Sequence, residues 1–129
     1  MNHSLVLIDD DELILNTLRK QFDGWNMQVY PAHTPAEAKD ILAKLTPDII
    51  LLDLVLTQGD GAEGILDYIK SQDRLANVPV LVLTNLDKPE MKEMVLSQGV
   101  KEYLIKGSLS LEDLHDKVVS YLEPGAGNT

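Results

Sequence analysis

The chain has 129 residues, room for one compact domain with one core, and its 44% apolar and 25% charged side chains exclude disordered, collagen-like and coiled-coil classes. Eleven basic against 21 acidic side chains leave a formal charge of −10, which repels nucleic acid phosphates and anionic membranes, so neither direct nucleic acid binding nor membrane insertion is expected. With no cysteine, disulfides, thiolate metal sites and cysteine nucleophiles are excluded. The opening Met1-Asn2-His3-Ser4-Leu5 lacks the basic region of a signal peptide and no apolar run approaches a membrane span, so a cytoplasmic location is expected by default.

Taken in chain order, apolar runs of strand length stand at Leu5–Ile8, Met27–Tyr30, Ile49–Leu52, Val80–Leu83 and Tyr103–Ile105, with helical periodicity between them. The first helix offers Ile14, Leu18 and Phe22 on one face and should stop at Gly24. The second opens on Thr34-Pro35-Ala36-Glu37, a capping box with Pro at the first helical position, and carries Ala38, Ile41, Leu42 and Leu45. Ile65 and Ile69 mark the third helix. Met91, Met94 and Val95 mark the fourth, which Gly99 ends. The fifth begins at a weaker cap, Ser110-Leu111-Glu112-Asp113, and lines up Leu111, Leu114, Val118 and Leu122. Residues 1–122 are read as the domain and 123–129, rich in Gly, as a flexible C-terminal tail. Strands apolar on both faces, alternating with helices, predict an α/β fold: a parallel sheet covered on both sides.

In such sheets ligands bind beyond the carboxyl ends of the strands. After the first strand come Asp9, Asp10, Asp11 and Glu12; after the third, Asp53; after the fourth, Thr84; after the fifth, Lys106. Acids gathered at one crevice repel one another unless a cation neutralises them, and oxygen donors without His or Cys suit Mg²⁺. Each position also has a plainer role. Asp10 or Asp11 can cap the first helix, Asp53 can serve a turn, Thr84 can be an ordinary strand-end hydroxyl, and Lys106 a solvated charge. His3, His33 and His115 lie away from strand ends and are expected to be solvated or terminal.

In order and spacing, Leu5-Val6-Leu7-Ile8-Asp9-Asp10-Asp11, Pro47 through Asp53 with Gly59-Asp60-Gly61, Val80 through Thr84, and Gly99 through Lys106 resemble the receiver domain of bacterial response regulators. The resemblance covers residues 4–122. It implies a flavodoxin-like (βα)5 three-layer sandwich with strand order 2-1-3-4-5. It also implies that Asp53 is the phosphoacceptor, that Asp9, Asp10, Asp53 and the Val55 main-chain carbonyl hold Mg²⁺, and that Lys106 and Thr84 bind phosphoryl oxygens. Tyr103 would be the aromatic partner of Thr84 in a switch. The implied donor is the phosphohistidine of a sensor histidine kinase or phosphotransfer protein, the output is binding to a downstream protein target, and the protein is a monomer or a phosphorylation-dependent dimer. It is not an enzyme in the turnover sense; only self-phosphorylation and slow self-dephosphorylation are expected. The chain departs from the family at Gly107, where Pro is usual, at Thr57, where Pro is common, at Asn85, and at the apolar pair Val55 and Leu86. Because little chain follows Leu122, a stand-alone receiver is expected, unless the chain is a fragment of a longer regulator. Two other functions compete: a phosphorylation-independent interaction module on the same fold, and a haloacid dehalogenase-type phosphohydrolase, which would leave Asp53 idle.

Overall fold

The computed structural model describes residues 3–122, so the expected tail at 123–129 lies outside the described residues. Strands β1 (His3–Ile8), β2 (Met27–Ala32), β3 (Ile49–Leu52), β4 (Val80–Thr84) and β5 (Glu102–Ile105) alternate with helices α1 (Glu12–Asp23), α2 (Pro35–Lys44), α3 (Gly61–Ser71), α4 (Pro89–Ser97) and α5 (Leu111–Leu122). All pairings are parallel and the sheet order is β2-β1-β3-β4-β5, the flavodoxin-like arrangement.

The side-chain period of a strand explains why the inner strands read as unbroken apolar runs. Ile50 and Leu52 of β3 join Val6, Ile8, Val80 and Val82 on one face, covered by Leu42 of α2, Ile65 and Ile69 of α3 and Val95 of α4. Ile49 and Leu51 point the other way, with Leu5, Leu7, Leu81 and Leu83, and meet Leu15, Leu18 and Phe22 of α1 and Leu114, Val118 and Leu122 of α5. Each such side chain, taken fully out of water, stabilises the fold by about 1.5–3 kcal/mol, so β3, buried at every position, anchors both layers.

Several boundaries and faces differ from expectation. β2 runs two residues past Tyr30, through Pro31, because β2 is an edge strand where a missing N–H is tolerated. The buried stripe of α1 includes Leu15, while Ile14 is half-buried, and α5 starts its buried stripe at Leu114, leaving Leu111 39% exposed. In α4 only Val95 is buried; Met91 and Met94 are half-covered. Gly24 ends α1 in a right-handed conformation, and the left-handed residue that turns the chain is Asn26, at φ 64°. Gly99, at φ +100°, does supply the left-handed stop after α4 that only glycine adopts without strain. Thr34 caps α2 by accepting from the Glu37 N–H, but the Glu37 carboxylate returns its bond to the His33 N–H rather than to Thr34. At α5 the box is complete: Ser110 Oγ accepts from the Asp113 N–H, and Asp113 accepts from the Ser110 N–H. Between α1 and β2, Trp25 sits edge-on to Phe22 at 5.3 Å and against His115 of α5 at 4.2 Å, so His115 is packed on an aromatic ring rather than free in solvent.

Candidate functional site

The register of the central strands brings the acids together. β1 ends at Ile8, whose carbonyl accepts from the Asp53 N–H at 2.9 Å, and the Asp9 N–H donates to Ala32 at 3.0 Å, so both aspartates continue the ladder by one residue. Asp9 is 2% exposed and Asp53 6%, whereas Asp10 is exposed. Carboxylate oxygens of Asp9, Asp10 and Asp53 lie within 4.8 Å of one another and can hold a cation.

Two buried carboxylates this close need a positive charge, and β5 delivers one. Lys106 Nζ donates to Asp9 Oδ2 at 2.5 Å and to Asp53 Oδ2 at 3.1 Å. Backbone donors hold the second oxygen of each: Asp11 N–H reaches Asp9 Oδ1 at 2.9 Å and Val55 N–H reaches Asp53 Oδ1 at 3.1 Å. Burial pushes the Asp9 carboxyl above its ordinary range, and the Lys106 and Asp11 bonds recover only part of that. Burial also penalises the Lys106 ammonium, but its bonds to Asp9 and its proximity to Asp53 outweigh that and hold it above the usual lysine value. One ammonium among three carboxylates leaves a net excess of negative charge served only by oxygen donors, the chemistry that suits a hard divalent cation.

The plainer role of the Asp run falls to Asp11 alone: it caps α1, accepting from the Leu13 and Ile14 N–H groups at 3.0 and 3.4 Å. Thr84 closes β4 fully buried, and its Oγ1 accepts from the Leu86 N–H at 3.2 Å. The Leu86 carbonyl in turn accepts from the Tyr103 hydroxyl. Tyr103 lies opposite Val82, two register positions inside the Thr84–Ile105 pair, and the two hydrogen bonds to Leu86 join Thr84 and Tyr103 through that residue. Val55 is 49% exposed beside Asp53, Asn85 is exposed and Leu86 half-buried. Among the described residues no peptide bond is cis, and Lys106-Gly107-Ser108 form a 3₁₀ turn into α5.

Two residues of the site region escaped the sequence reading. Thr57 donates to Asp10 Oδ2 from both its N–H, at 3.3 Å, and its hydroxyl, at 3.2 Å, tying the β3–α3 loop to the β1–α1 loop. His33 directly follows β2 and so stands at a strand end, contrary to expectation; the misplaced end of β2 at Tyr30 concealed it. Its ring pairs with Glu37 at 3.0 Å on one side and with Glu12 on the other, and both bonds, Glu37 first, hold the imidazole above its ordinary value. The signal for Thr57 was visible only as a loop residue where the resembling family has Pro.

Comparison with known proteins adds an independent line. The family model described as "Response regulator receiver domain" matches residues 5–119. The response regulator MprA of Mycobacterium bovis is 32% identical over 116 residues, covering 88% of this chain and 48% of that protein. The chain thus spans about half the length of the curated relatives it matches. The solved receiver domain of the Francisella response regulator 1452 superposes with TM-score 0.82 at 26% identity, covering 94% of this chain and 97% of that one. The Vibrio cholerae chemotaxis protein CheY4 superposes with TM-score 0.86 over 95% of this chain and 100% of that one; at 20% identity this is a likeness of fold.

Proposed function

Because the chain belongs to the receiver domain family of two-component response regulators, we propose that Asp53 accepts a phosphoryl group from a phosphohistidine of a sensor histidine kinase or phosphotransfer protein. The observation that carries this reading is Lys106 Nζ bridging Asp9 and Asp53: a buried carboxylate nucleophile held beside a cation and next to two further acids. Asp9, Asp10, Asp53 and the Val55 main-chain carbonyl are the groups that would hold Mg²⁺, and the oxygen-only donor set fits that ion. When bound, Mg²⁺ supplies charge neutralisation for the phosphoryl oxygens.

In the transfer, an Asp53 carboxylate oxygen forms a bond to phosphorus as the phosphorus–nitrogen bond of phosphohistidine breaks, and the leaving imidazole keeps the electron pair. Phosphoryl transfer of this kind depends on positioning and charge neutralisation rather than on further covalent help, so Lys106 acts as the fixed cation for a phosphoryl oxygen. Thr84 Oγ1 accepts from Leu86, which leaves its O–H free to donate to another phosphoryl oxygen. Moving Thr84 disturbs Leu86 and through it the Tyr103 hydroxyl, so the response surface is expected to run from Lys88 to Leu122 and to govern binding of a downstream protein. The domain is read as residues 1–122, a signalling unit that labels itself once rather than turning over substrate. No described helix is long and apolar enough to cross a membrane.

The test is intact-mass spectrometry after incubation with a small phosphodonor. A Mg²⁺-dependent gain of about 80 Da, one phosphoryl group, is expected for the parent and not for Asp53→Asn. Equal labelling of Asp53→Asn, or continuous turnover of a phosphate ester that is lost on Asp9→Asn, would overturn the reading.

A further inference from the structure

We infer that Thr57 is a positioning residue that holds the Asp10 carboxylate in its cation-binding pose, a role that rests on the reading of Asp9, Asp10 and Asp53 as the metal-holding set. Asp9 and Asp53 are fixed by burial, by Lys106 and by backbone donors of their own loops. Asp10 has none of these. It is exposed, and among the described residues every hydrogen bond its carboxylate accepts comes from Thr57.

Both donors of Thr57 converge on one oxygen, Oδ2, so the carboxylate is pinned in orientation while Oδ1 keeps its lone pairs. Both are neutral, so they fix Asp10 without cancelling the charge a divalent cation needs; a lysine in that place would compete with the ion. Outer groups that orient a ligating side chain in this way are commonly worth tenfold or more in metal affinity. Proline, common at this position in the family, has no N–H and no hydroxyl, so it can make neither bond. The contact also spans 47 residues of sequence, from the β1–α1 loop to the β3–α3 loop that carries the Val55 carbonyl. Thr57 therefore sets the spacing of two ligand-bearing loops as well as the angle of one ligand.

Three measurements on the full chain test this: Asp10 side-chain rotamer couplings by NMR in metal-free buffer, the Mg²⁺ dissociation constant by calorimetry at fixed ionic strength, and the metal-free melting temperature. In the parent and in Thr57→Ser, Asp10 should occupy one rotamer and the dissociation constants should agree within about twofold. In Thr57→Val, which keeps the volume and loses the hydroxyl, the couplings should average and Mg²⁺ binding should weaken by about tenfold. The metal-free melting temperature should be unchanged, which a merely structural role would not allow. If the parent binds Mg²⁺ and Thr57→Val binds it equally well or better, this role is overturned and the metal reading stands. If the parent shows a fixed Asp10 but no Mg²⁺ binding, the metal reading is overturned and this role with it.

Discussion

At the scale of single residues, the site holds one more buried negative charge than it neutralises. Lys106 serves both Asp9 and Asp53, and burial leaves Asp9 with a raised carboxyl. An acid whose folded value lies above its unfolded one binds its proton more tightly when folded. Its contribution to stability is therefore largest at low pH and falls as pH rises from the ordinary aspartate value, 3.8, through the folded one. Asp9→Asn removes that burden and leaves Asp53 and Lys106 as a one-to-one pair. In metal-free buffer at neutral pH it should unfold about 1 kcal/mol less readily than the parent, or roughly 3–5 °C higher. Mg²⁺ at 100 times its dissociation constant should stabilise the parent by about 2.7 kcal/mol, and Asp9→Asn by clearly less. Calorimetry with chelator and with Mg²⁺ checks both. A lower metal-free melting temperature for Asp9→Asn would show that Asp9 is a net stabiliser. The mirror case is Lys106, whose raised value means its stabilising contribution persists through neutral pH and is lost only above the ordinary lysine range.

At the scale of elements, the loops after β3 and β4 are expected to set how long a phosphoryl group on Asp53 would last. Hydrolysis needs a water held in line behind phosphorus, and neither Val55, half-exposed beside Asp53, nor Leu86 offers a side chain that can orient one. The phosphorylated form should be long-lived, and replacing the pair by Val55→Asn with Leu86→Glu should speed its decay by about 10²-fold, measured by mass spectrometry over time in Mg²⁺ buffer. Equal decay would show that the apolar pair does not set the lifetime. These loops also mark where sequence reading succeeds and stops. β3 was legible to the residue because a buried parallel strand has no competing pattern, and Lys106 could be placed near Asp9 because parallel order sends all carboxyl ends one way. The end of β2 was not legible, since Pro31 reads as a stop unless the strand is known to lie at an edge. The Thr57–Asp10 contact was invisible for a different reason: two irregular loops meet there, and no periodicity encodes which of their residues touch. In α1 a stripe drawn through Ile14 missed Leu15, one residue around the same face.

At the scale of the whole molecule, the five helices are unequally anchored. α1, α3 and α5 each bury three or four side chains, while α4 buries Val95 alone and has no side-chain hydrogen bond at its N-cap. Local opening follows the apolar surface an element buries, so α4 should show the fastest amide exchange of the five helices, more than about tenfold faster than α1. Hydrogen-exchange mass spectrometry decides this, and an α4 as protected as α1 would remove the reason to place the response surface there. The position of Trp25 has a practical optical consequence. It is the only tryptophan, and it lies ahead of β2, packed on Phe22 and His115 at the amino ends of the strands. The acidic cluster stands at the opposite rim, roughly 13–20 Å away along strands rising 3.3 Å per residue. Its emission therefore reports the packing of α1 and α5 around Trp25, through Phe22 and His115, and it should stay flat when Mg²⁺ is added: a built-in fluorophore for unfolding that is blind to loading of the site.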